Sequence, residues 1–183
     1  MLFRSNGTTL DIDFALVGVG IQPNTQLADA AGLTLNNGIE TNALGQTSQS
    51  KIWAAGDCAS FPYQGERIRL ESVPNAIDQA EVVAANMLGA QKAYHATPWF
   101  WSDQYDVKLQ IAGLNQGFEN VVTRIGEAGR SHWYYKAGQV LAVDAMNDPR
   151  AYMVAKRLIE AGKTADPAIV ADPGSDLKAL LRG

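Results

Sequence analysis

The segment from Thr8 to Gly20 carries an almost unbroken apolar run, Phe14-Ala-Leu-Val17 and then, past Gly18, Val19. A run without polar alternation has no face to offer water, so it reads as a strand buried on both faces, the pattern of an α/β sheet. Such a strand needs neighbours and covering helices, and it is expected to be the end of something larger. The chain has 183 residues, 46% hydrophobic and 19% charged, which is enough to bury a core and excludes a disordered or fibrous class.

Further along, Asn24 is placed to cap a short helix through Ala31 that Gly32 closes. Ile39–Thr41 and Ile52–Ala55 read as strands between Asn, Gly and Ser turns. From Pro74 to Leu88 the residues Ala76, Ile77, Ala80, Val83, Ala84, Met87 and Leu88 recur at helical spacing, with proline in the first turn and Gly89 as the stop. Past Pro98 the texture changes to aromatic and β-branched runs at Val107–Ala112, Asn120–Ile125, Ser131–Tyr135 and Gln139–Ala145, with Lys136-Ala-Gly138 as a hairpin turn. One amphipathic helix, Arg150 to Ala161, precedes a Pro-rich tail, and a domain boundary is expected at His95–Pro98.

Several chemistries are excluded by counting. Cys58 is the single cysteine and His95 and His132 are the two histidines, so no internal disulfide or multi-cysteine zinc centre is expected, and no metal site. Fifteen basic against nineteen acidic residues supply no basic stripe for nucleic acid. No apolar stretch reaches the ~18 residues of a membrane span, and no secretory signal opens the chain, so a cytoplasmic protein is expected. Ser60 and Ser72 lack a recognisable base partner, which leaves a hydrolase triad without support.

The glycines narrow the rest. Gly18-Val-Gly-Ile-Gln-Pro23 puts proline where a dinucleotide fingerprint needs its third glycine, and no full strand fits before Glu40, so it reads as a strand leaving a sheet edge through a turn. Gly56-Asp57 follows a strand at its carboxyl end, the edge where α/β sheets bind ligands, although a turn or cap explains the pair equally well by itself. Glu71-Ser-Val-Pro-Asn75 lies at the amino end of the long helix, where free N–H groups and the helix dipole favour an anion, and where a cap alone also accounts for Ser72 and Asn75. Trp99-Phe-Trp-Ser-Asp-Gln104 reads first as an interdomain packing plug.

Taken in order and spacing, Phe14–Asn24, Ile52–Cys58, Glu71–Gln79 and Pro98–Gln104 resemble the carboxy-terminal part of the FAD-dependent ferredoxin reductases that serve oxygenase systems, the putidaredoxin reductase and rubredoxin reductase type. The resemblance implies an α/β fold: the carboxy-terminal part of a flavoprotein with two dinucleotide-binding domains, followed by an α+β reductase carboxy-terminal domain. It implies residues 1–20 as the end of the NAD-binding domain and the return strand, 21–97 as the second half of the FAD-binding domain, and 98–183 as the carboxy-terminal interface domain. It further implies FAD as cofactor, NADH as cosubstrate, a ferredoxin or rubredoxin as partner, and a homodimer. Asp57 would hold the flavin ribityl chain beside Gly56, the Val73 backbone would contact the isoalloxazine ring beside Ser72, Glu71 would neighbour the nicotinamide, and Trp101 would lie by the flavin where the iron–sulfur partner docks.

The two GxGxxG fingerprints that family members carry are absent from this sequence, so it reads as a fragment of such an enzyme, with Met1 not marking the natural start. The alternatives are a non-catalytic oligomerisation or interaction module, and another FAD/NAD reductase such as an NADH oxidase or a monodehydroascorbate-type reductase. Lys156, Arg157 and Lys163, on and just beyond the last helix, are the expected docking charges for an acidic ferredoxin.

Overall fold

In the computed structural model, which describes residues 2–3, 6–127 and 129–182, the chain opens with an antiparallel ribbon of two short strands, β1 (Leu2–Phe3) and β2 (Thr9–Leu10). The apolar run after it forms no strand, and Leu16 and Val19 stand 96% and 90% exposed. This corrects the expectation of a buried strand: a strand needs partners for its backbone N–H and C=O groups, and no described strand lies beside this segment. Helix α1 (Gln26–Ala30) starts at Thr25, not at Asn24, and no side chain caps it. Ile52–Ala55 is likewise no strand, and makes only the single bridge Trp53 to Gln46.

A small sheet gathers the middle of the chain. β3 (Ile39–Glu40) runs parallel to β4 (Ala59–Tyr63), which turns back into β5 (Glu66–Ile68). The long helix α2 (Val73–Met87) follows, with Ser72 as its cap and proline in the first turn, so the sequence pattern located it to within one residue at each end.

Its orientation differs from that pattern. The buried stripe is Pro74, Asn75, Gln79, Val83 and Asn86, while Ile77, Met87 and the flanking Leu88 face solvent. The amides face inward because loops lie there. Asn86 Nδ2 donates to the Leu44 and Lys92 carbonyls at 2.9 and 2.7 Å, its Oδ1 accepts from the Lys92 N–H at 2.7 Å, and Asn75 Nδ2 donates to the Leu70 carbonyl at 3.2 Å. Loop backbone that is buried must find partners, and side-chain amides supply both a donor and an acceptor.

Beyond Pro98 stands a five-stranded antiparallel sheet of β6 (Trp99–Gln104), β7 (Val107–Gly113), β8 (Asn120–Ile125), β9 (Arg130–Lys136) and β10 (Gln139–Met146), in the order β6-β7-β10-β9-β8. The aromatic segment expected as a packing plug is the edge strand β6, paired along its whole length with β7. The β9–β10 turn has Ala137 and Gly138 both left-handed, as the tight hairpin turn requires. A bulge at Leu141 pushes its carbonyl to where a Cβ on Gly113 would stand 2.0 Å away, so β7 and β10 meet there only because position 113 is glycine.

One face of this sheet is closed by α3 (Pro149–Glu160), α4 (Pro167–Ala171) and the 3-10 turn Leu177–Leu181, the last two formed within the expected Pro-rich tail. Trp133, Val143, Ala145, Val154, Leu158 and Val170 fill the core. Polar bonds fix its ends. Trp133 Nε1 donates to Ser131 Oγ (3.1 Å), Ser131 Oγ to Asp148 Oδ2 (3.2 Å), and Asp148 Oδ1 caps α3 by accepting from the Ala151 N–H (3.0 Å). The buried Arg124 guanidinium binds the carbonyls of Val170, Asp172, Pro173 and Ser175 and the Ser175 hydroxyl, fastening the last segment to β8. Among the described residues, no helix is long and apolar enough to cross a membrane.

Candidate functional site

Of the residues singled out in sequence, Gly56, Asp57, Glu71, Ser72 and Val73 gather at the first turns of α2. Ala55 is extended, and Gly56 then turns left-handed (φ +77°) to start a single 3-10 turn, Gly56–Cys58. That φ, rather than close approach to a ligand, is what requires glycine: a Cβ there would sit 3.4 Å from Ala76 Cβ in ordinary contact. The Gly56 N–H donates to Gln79 Oε1 at 2.8 Å, which locks the turn onto the side of α2. Asp57 is thereby set at the surface with its carboxylate exposed and, among the described residues, unpaired, while its backbone carbonyl accepts from Arg69 Nη1 at 2.9 Å.

Arg69 also reaches Glu71, Nη2 to Oε1 at 2.6 Å, so one guanidinium joins the Asp57 turn to the approach to α2. Ser72 then caps the helix. Its Oγ accepts from the Asn75 N–H at 3.3 Å and its carbonyl from the Ala76 N–H at 3.0 Å. Pro74 has no N–H, which leaves the N–H of Val73, itself 60% exposed, as the donor of the first turn that is unbonded among the described residues. Tyr94 braces the helix from beneath: its hydroxyl donates to Asn75 Oδ1 at 2.9 Å and its ring meets Phe61 edge-on. Burial, with Asp78 nearby, pushes the Tyr94 hydroxyl up to about 12, so it stays a donor at any ordinary pH.

Strand β6, which carries the aromatic pair, also packs against α2. Trp101 is 41% exposed and stacks on Trp99 with ring centroids 5.6 Å apart. The assembled parts are an exposed carboxylate that can accept from hydroxyls, a free N–H at the positive end of a helix, and a partly open indole face. Together they suit a ligand whose hydroxylated chain leads to a planar ring carrying partial negative charge. The flavin half of FAD is such a group, and these residues fit it.

Of the residues given no role, Cys58 ends the site's own turn and His132 lies on the sheet. Cys58 Sγ turns back to the Ala55 carbonyl, and His132 Nδ1 pairs with Thr123 Oγ1 at 3.0 Å on the sheet. Of the expected docking charges, Lys156 is ion-paired with Glu160 one turn along α3, and Lys163 lines a cleft of about 630 Å³ shared with the β4–β5 hairpin, away from the α2 site. Sequence reasoning missed Arg69, Gln79 and Tyr94. For Arg69 a signal existed, since positions 69 and 71 share a side of an extended segment and carry opposite charges. Gln79 could have been found as a polar residue on the same helical side as Asn75, one turn on.

Two family models divide the chain, the pyridine nucleotide-disulphide oxidoreductase model over residues 2–80 and the reductase C-terminal model over residues 99–181. Curated relatives match both parts at once. Putidaredoxin reductase CamA of Pseudomonas putida is 39% identical over 96% of this chain and 43% of its own length. The chain is similar, over nearly its whole length, to the carboxy-terminal portion of ferredoxin reductases. Rhodocoxin reductase of Rhodococcus erythropolis is 38% identical over 97% of this chain and 42% of its own. The solved ferredoxin reductase for the CYP199A2 system from Rhodopseudomonas palustris superposes with a TM-score of 0.87 at 43% identity, covering 96% of this chain and 44% of that one. The chain thus spans less than half the length of the relatives it matches.

Proposed function

We propose that this chain supplies the flavin-facing half of an FAD-dependent NADH:ferredoxin oxidoreductase. The observation that supports the reading is that α2, whose Val73 N–H is unbonded among the described residues, packs against both the Gly56–Cys58 turn that carries Asp57 and the strand β6 that carries Trp101. In this assignment residues 1–20 end the NAD-binding domain, 21–97 form the second half of the FAD-binding domain, and 98–183 form the interface domain.

Asp57 accepts from the ribityl hydroxyls. The Val73 N–H and the α2 dipole hold the negative edge of the ring, which favours its reduced form. Glu71 borders the nicotinamide, and Trp101 covers the flavin and faces the iron–sulfur partner. The chemistry that FAD supplies when bound is the exchange of a hydride from NADH for single electrons delivered to a ferredoxin or rubredoxin. The relatives' names, putidaredoxin reductase and rhodocoxin reductase, support an iron–sulfur protein as acceptor. A cytoplasmic homodimer completes the reading.

The test is flavin content, measured on the full reading frame that carries these 183 residues, before and after incubation with FAD. Stoichiometric FAD is expected, and Asp57→Ala should raise its dissociation constant about tenfold or more, as loss of hydrogen bonds to a charged acceptor does. A protein that takes up no FAD overturns the function, and an unchanged affinity in Asp57→Ala overturns that residue's role.

A further inference from the structure

Arg69 is unusually placed for a cation. Its side chain is only 7% exposed, and its stem runs so close to Gly38 that a Cβ at that position would lie 3.0 Å from Arg69 Cδ and 2.7 Å from the Cys58 carbonyl oxygen. Gly38 therefore opens the channel through which the guanidinium reaches the site. Once there, it donates to the Asp57 carbonyl through one terminal nitrogen and to the Glu71 carboxylate through the other, while Nε is buried and bonded to nothing. A buried guanidinium with one donor unsatisfied is a poor choice for stability alone, since an apolar residue of similar volume would fill the same space without the desolvation cost. What only arginine can do at this position is hold two groups at once with a planar fork.

We propose that Arg69 is a positioning residue of the flavin site: it fixes the Asp57 turn and the Glu71 carboxylate in one rigid constellation and neutralises Glu71 beside the ring. The inference rests on the FAD reading above and adds a role for a residue that the binding contacts themselves do not include. Two separable effects follow. The fork sets where Asp57 stands, and so controls FAD affinity. The charge cancels Glu71, which lies two residues before the free Val73 N–H, and so controls how readily the ring takes up negative charge on reduction.

Substitutions separate the two. Arg69→Met removes both fork and charge, and it should raise the FAD dissociation constant about tenfold to a hundredfold and shift the flavin midpoint potential to more negative values. Arg69→Lys keeps the charge but offers a point donor in place of a fork, so affinity should fall while the potential stays near that of the unsubstituted protein. Adding Glu71→Gln to Arg69→Met removes the unpaired carboxylate, and the potential should return while the affinity remains weak. Potentials are read by spectroelectrochemistry on the flavin-loaded, full-reading-frame protein, affinities by flavin fluorescence, and folding of each variant by circular dichroism.

A wild-type protein without flavin overturns the FAD reading and this one with it. A flavin-loaded wild type whose Arg69→Met and Arg69→Lys variants bind FAD unchanged overturns the positioning role alone. If Arg69→Met fails to fold, Arg69→Lys and Glu71→Gln still decide: loss of affinity in the first with an unchanged potential supports the role, and unchanged affinity refutes it.

Discussion

Helices α2 and α3 are 15 and 12 residues long, both amphipathic in sequence, and both start at a side-chain cap followed by proline, yet they bury opposite kinds of surface. α3 turns Ala151, Tyr152, Val154, Ala155 and Leu158 onto the five-stranded sheet, so its apolar stripe is its packing stripe. α2 instead buries Asn75, Gln79 and Asn86 against loops, and its apolar residues Ala80, Ala84 and Met87 line an open groove of about 370 Å³ with Ile52 and Trp53. A periodic pattern reports which side of a helix is apolar. It does not report whether a neighbour exists to cover that side. The contrast extends to the two regions: beyond Pro98 the buried apolar residues gather in one core between the sheet and α3, whereas the Phe14–Val19 run stands in solvent.

Mutation can test how far this contrast goes. The largest effect belongs to the closed core, where Trp133→Ala empties a fully buried site and frees Ser131; a loss of about 3–5 kcal/mol is expected from urea unfolding followed by sheet-sensitive circular dichroism. Next comes Arg124→Met, which strands the carbonyls of the 170–175 segment and should cost about 3 kcal/mol, with early proteolysis after α3 as a second sign. On α2, Asn86→Leu leaves the Leu44 and Lys92 backbone groups unpaired. A loss of about 1–3 kcal/mol is expected there despite the gain in hydrophobicity. If Asn86→Leu instead stabilises the protein, the amide stripe is not what holds the loops. The smallest effect is expected from Met87→Ser on the exposed stripe, within about 0.5 kcal/mol in the same unfolding assay. A loss of 2 kcal/mol or more there would mean that the groove is covered in solution and would erase the contrast.

Much of the local structure was legible because it depends on local physics. Ser72 with Pro74, and Asp148 with Pro149, announce helix starts through capping and a preset φ, and the alternation in Ser131–Tyr135 and Gln139–Ala145 announces strands with one buried face. The apolar run at Phe14–Val19 and the segment Ile52–Ala55 were misread because strand formation is not local: their composition suits a strand, but a strand exists only where a second one bonds to it. Gly56, Asp57, Glu71, Ser72, Val73 and Trp101 could be named through the family resemblance, whereas Arg69 and Gln79 left weaker signals, an opposite-charge pair and a polar residue one turn from Asn75, whose partners the sequence does not reveal.

The sequence by itself determined where α2 and α3 begin, which residues alternate in the sheet and, through four ordered motifs, the resemblance to ferredoxin reductases. Only the tertiary structure decided that the Gly56 turn is bolted to Gln79, that one buried guanidinium joins Asp57 to Glu71, and that α2 turns its amides inward. The reason is range. Caps and periodicity act over one or two turns of chain, while a buried arginine or glutamine finds its partner from a distant segment, and only the folded backbone brings that segment within hydrogen-bonding distance.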